Sequence, residues 1–69
     1  MDRVQEAVEF LGAEQVEEGW KYFDDATQNW YVCEDESDLE HLWSLIHDGE
    51  PDAYSRWCSD TSHSEYKGE

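Results

Sequence analysis

Positive charge is what this chain has least of: four Lys and Arg stand against nineteen Asp and Glu, for a net charge of −15. A surface so short of cations repels phosphates, which excludes direct nucleic-acid binding and attachment to anionic membranes. Cysteine is scarce as well. Cys33 and Cys58 make no disulfide framework, and the expectation is two free thiols in a reducing cytosol, one or both buried. No apolar run approaches the ~20 residues of a membrane span. Asp2, Glu6 and Glu9 near the start are incompatible with a signal or transit peptide, so the expected compartment is the cytoplasm.

Catalytic signatures are missing too. There is no Gly-x-Ser-x-Gly elbow, no phosphate-cradling Gly loop and no His-Glu-x-x-His. The paired carboxylates are expected to face solvent, where acid–base work is poor. The expectation is therefore a protein that is not an enzyme and takes no cofactor. Cys33, His41, His47, Cys58 and His63 are the candidate zinc ligands, but no pair has Cys-x2-Cys or His-x3-His spacing. Asp24 to Asp35 has the length of an EF-hand loop. It lacks the central Gly, places Ala26 and Gln28 at ligand positions, and ends in Asp instead of a bidentate Glu. No metal site is expected.

Aromatic residues are plentiful: four Trp, four Tyr and two Phe in 69 residues. Each buries roughly 150–250 Å² when packed, enough to build a core that so few aliphatic residues would not fill. This composition argues for one folded domain over residues 1–69 and against a disordered acidic tail. Trp20, Trp30, Trp43 and Trp57 are the expected core, with Tyr31 or Tyr54 an alternative interface anchor.

Val4, Ala7, Val8 and Leu11 share one helical face, which predicts a helix from Asp2 to Leu11 stopped by Gly12. Residues 13–18 read as either a helical turn or the approach to a strand. Trp20–Phe23 and Trp30–Cys33 read as the strands of a β-hairpin around the turn-rich 24–29 segment. Ser37 and Glu40 fit a capping box for a helix from about Asp38 to Asp48. Its apolar face is Leu39, Leu42, Trp43 and Ile46, and Gly49 follows as the terminating residue. Pro51 suits the first turn of a last helix reaching about Ser59, with Ala53, Tyr54 and Trp57 inward and Cys58 as a further candidate. Residues 60–69 read as a flexible tail. The expected fold is α+β: an N-terminal helix, an antiparallel hairpin, and two C-terminal helices packed on the sheet.

The acids are not interspersed with bases. Ten fall between Tyr22 and Ser55 with no Lys or Arg, and five between Val4 and Trp20. Like-charge pairs at helical spacing, such as Glu14/Glu18 and Glu36/Glu40, each cost a few tenths of a kcal/mol if helical. Something other than stability favours carboxylates there. For a folded chain of this size the surface is roughly 4,500 Å², or about one net charge per 300 Å². Duplex DNA carries one charge per ~1.7 Å of axis, roughly one per 100 Å² of its cylinder. Three groups stand out as one candidate partner-binding surface: Glu14, Glu17 and Glu18 before the first strand; Asp24 and Asp25 at the hairpin turn; and Glu34, Asp35, Glu36, Asp38 and Glu40 after the second strand.

In its size, its charge, its base-free stretch from Tyr22 to Ser55 and its aromatic content, the chain resembles the small acidic DNA-mimic inhibitors of bacteriophages and other mobile elements, including anti-CRISPR and anti-restriction proteins. The likeness spans the whole chain as composition and layout, with no shared motif. It implies a monomer acting in the host cytoplasm on a basic nucleic-acid-binding protein, with a type I Cascade-like CRISPR effector, blocked at its target DNA or PAM surface, as the first target to consider. Two further readings are an acidic adaptor or antitoxin-like partner of a basic protein, and a housekeeping domain from a salt-loving organism.

Overall fold

The computed structural model describes residues 2–67. The fold is α+β, a four-stranded antiparallel sheet with three helices. Helix α1 (Arg3–Leu11) starts where the Asp2 carboxylate accepts the Val4 amide at 3.0 Å and stops at Gly12. Strand β1 (Glu14–Val16) settles the ambiguous segment as extended chain. It pairs with β2 (Gly19–Asp24), which pairs with β3 (Asn29–Cys33), and the β2–β3 register runs from Trp20↔Cys33 to Asp24↔Asn29. Helix α2 (Glu36–His47) ends in the expected way: Gly49, at φ 79, lets its own amide reach Ile46 O while the Glu50 amide reaches Leu45 O. Helix α3 (Ala53–Asp60) follows.

Register decides which aromatics are buried. The Tyr22↔Tyr31 and Trp20↔Cys33 pairs face the helices, and the Phe23↔Trp30 pair faces away. Around Tyr22 and Cys33 gather Ala7, Leu39, Leu42, Leu45, Ala53 and Trp57. Trp57 is fully buried, 5.3 Å from the Tyr22 ring, and donates its indole N–H to Asp38 O at 2.7 Å. Truncating such a buried side chain to Ala costs about 3–5 kcal/mol. Trp30 corrects the expectation of a four-Trp core: it is 40 % exposed, packed edge-on to an equally exposed Phe23. Trp20 and Trp43 lie at the core's margin.

Three boundaries also differ from expectation. Helix α2 begins at Glu36 with Asp35 as its N-cap, so Ser37 and Glu40 lie inside it and form no capping box. The buried Cys33 ends β3, and the chain turns over the sheet's edge within two residues, which brings the helix start forward. Pro51 precedes α3, with Asp52 as the N-cap, because the turn closing α2 extends through Glu50. The segment expected to be a tail carries a fourth strand, β4 (Ser64–Glu65), paired with β3 through Tyr31↔Glu65 and Val32↔Ser64. The free edge of β3 supplies backbone partners that no local pattern announces. Gly68 and Glu69, also counted in that tail, lie outside the described residues. No helix among the described residues is long and apolar enough to cross a membrane.

Candidate functional site

No charged side chain is buried among the described residues. The half-buried acids are Glu6, Asp24, Asp38 and Glu50, and each has a polar partner within the fold. Glu6 takes the Trp43 indole N–H at 3.0 Å and lies 3.1 Å from His47 Nε2. The His47 contact holds its carboxyl below the ordinary range. Asp24 takes the Tyr54 hydroxyl at 2.8 Å and the Thr27 hydroxyl at 3.0 Å, and these bonds hold its carboxyl low.

The few cations reach few of the remaining acids. Lys21 reaches Glu14 at 3.9 Å, and Arg56 serves Glu50 and Asp60. Among the described residues, no ion pair reaches Glu17, Glu18, Asp25, Glu34, Asp35, Glu36 or Glu40. The fold thus separates carboxylates used internally from carboxylates left to solvent.

The strand register places these groups. Glu17 and Glu18 form the β1–β2 turn, and Gly19 after them passes directly over the end of β3. A Cβ at Gly19 would collide with the Cys33 carbonyl and stand 3.0 Å from Glu34 Cα, so only glycine permits this approach. Glu17 and Glu18 are thereby brought to the sheet end that carries Glu34, Asp35 and Glu36. Glu40 lies about one helical turn further along α2. Asp24 and Asp25 stand at the opposite end, the length of β2 away, roughly 17 Å at ~3.4 Å per residue. Glu14 sits between, on edge strand β1. The three groups expected from sequence to form one surface are thus spread along the sheet. Glu17 and Glu18 share one end with Glu34, Asp35 and Glu36, Asp24–Asp25 occupies the other, and Asp24 and Asp38 are turned to partners inside the fold.

Asp38 belongs to a feature that sequence reasoning missed. His63, its side chain only 5 % exposed, lies between Asp38 Oδ2 at 3.1 Å from Nε2 and the Tyr22 hydroxyl at 2.6 Å from Nδ1. Cys33 Sγ, fully buried, completes the cluster and contacts Asp35 O at 3.3 Å. Burial pushes the Cys33 thiol up to about 11, and nearby Asp38, Asp35 and Glu34 add to the rise against the Asp35 hydrogen bond. Burial likewise pushes the Tyr22 hydroxyl up. Cys58 is exposed at a cleft of about 220 Å³ that Tyr22, Tyr31, Tyr54 and His63 also line. Its thiol is raised by partial burial. His63 stands 25 residues from Asp38 and 41 from Tyr22, so no short-range spacing pointed to it.

No family model, curated protein or solved structure matches this chain.

Proposed function

We propose that this chain is an acidic DNA mimic: a binding protein, not an enzyme, that occupies the basic nucleic-acid-binding surface of a partner. One observation carries the reading. Glu17, Glu18, Glu34, Asp35, Glu36 and Glu40 lie at or next to one end of the sheet, and among the described residues no ion pair neutralises them. Side chains so placed offer charge and hydrogen-bond acceptors to incoming Arg and Lys, some in paired Arg–carboxylate geometry. With 15 net negative charges over 4699 Å² of accessible surface, the mean is roughly one per 310 Å², and concentration at one end moves that face toward the density of duplex DNA.

The partner proposed is a basic subunit of a nucleic-acid-binding complex, and the first to try is a type I Cascade-like CRISPR effector, which would make the chain an anti-CRISPR acting in the host cytoplasm. The exposed Phe23–Trp30 pair supports one other reading, an acidic adaptor or antitoxin-like partner that docks a basic protein through an apolar anchor. Capture from host lysate separates the two. The mimic should recover a basic complex that elutes in high salt and is displaced by duplex DNA. A partner retained in high salt and indifferent to DNA would favour the adaptor.

A further inference from the structure

We propose that Cys33, Asp38 and His63 form a zinc site, with a water completing the coordination from the adjoining polar cleft. The three residues come from separate segments: the end of β3, the first turn of α2 and the chain leading into β4. One donor atom from each lies within 4.8 Å of the others. His63 Nε2 and Asp38 Oδ2 are 3.1 Å apart. With metal–nitrogen and metal–oxygen bonds of ~2.0–2.2 Å, ligand atoms of one tetrahedral ion stand about that far apart. Closing Sγ onto the same centre requires a movement on the order of 1 Å.

The remaining contacts suit such a site. Tyr22 Oη sits 2.6 Å from Nδ1, placed to accept the Nδ1 proton when the Nε2 lone pair is given to a metal. On the solvent side, a cleft of about 160 Å³ lined by Glu34, Asp35, Asp38 and His63 has space for the fourth ligand and an entry path. A thiolate, an imidazole and one carboxylate form a borderline-soft donor set that selects zinc over magnesium or calcium, which take all-oxygen shells. Binding displaces the Cys33 thiol proton to solvent, and the two negative ligands then balance Zn2+.

Cobalt(II) is the probe, added to untagged, metal-stripped full-length protein. One equivalent should produce the near-ultraviolet thiolate-to-cobalt charge-transfer band and tetrahedral visible bands, and zinc should abolish both. Cys58→Ser should keep the band. Cys33→Ser should lose it, and His63→Gln and Asp38→Asn should each weaken binding at least 10-fold while far-ultraviolet dichroism reports the fold. If Cys33→Ser does not fold, retention of the band in Cys58→Ser together with its weakening in His63→Gln carries the same decision. Cobalt bound without a charge-transfer band, or a band that survives Cys33→Ser, would overturn the site.

Discussion

Asp24 and the acids at the far end of the sheet carry the same carboxylate group in opposite roles. At the β2–β3 turn, Asp24 is committed to the fold through the hydroxyls of Tyr54 and Thr27. At the other end, Glu17, Glu18, Glu34, Asp35 and Glu36 are exposed and, among the described residues, enter no ion pair. A carboxylate near an internal donor is a structural part. A carboxylate held beside others of its kind stores repulsion that a basic partner relieves. Charge count alone does not separate the two; position relative to the core does.

The largest expected effect comes from reversing the free end. The triple substitution Glu34→Lys, Asp35→Lys, Glu36→Lys should weaken partner binding at least 100-fold in titration calorimetry while dichroism shows the fold retained. Asp24→Ala should do the converse. Losing two hydrogen bonds to a partly solvated carboxylate costs about 1 kcal/mol in denaturant unfolding, and affinity should change less than 3-fold. If Asp24→Ala lowers affinity as much as the triple reversal does, the two ends share one function and the comparison fails.

Acid provides a third separation. The Asp24 and Glu6 carboxyls are held low by their partners, so they bind fewer protons folded than unfolded. Their stabilisation is present above the ordinary carboxylate range and is lost as pH falls through the lowered values, below about pH 4. Between pH 7 and pH 3 the urea midpoint of the unaltered chain should therefore fall relative to that of Asp24→Asn. An identical fall in that variant would mean the Tyr54 and Thr27 bonds do not favour the charged form. The smallest effect concerns the thiols. Cys58, exposed, should react with an aromatic disulfide reagent in the folded protein, whereas Cys33 should react only on unfolding. Equal rates would contradict the burial of Cys33.

Much of the architecture was legible because it rests on local pattern. The Val4–Ala7–Val8–Leu11 face and the Trp20–Phe23 and Trp30–Cys33 runs fall within the elements they announced, and Gly49 follows the end of α2. Strands β1 and β4 were not legible, being three and two residues long and held by neighbouring backbone instead of side-chain alternation. Trp30 and Trp57 are the same residue type; only pairing register and the packing of α3 put one outside and one in the core. The acidic clusters were visible in the sequence, but not the division among them. Asp24 is claimed by Tyr54 from 30 residues away and Asp38 by His63 from 25, contacts that exist only once the chain has folded.

Salt dependence of affinity tests the central claim most directly. With the captured partner in hand, log K against log salt should fall steeply for the unaltered chain and for Asp24→Ala alike. It should be markedly shallower for the triple reversal, because the contacts that depend on charge are gone. Equal slopes for the unaltered chain and the triple reversal would contradict the assignment of binding to the free acidic end.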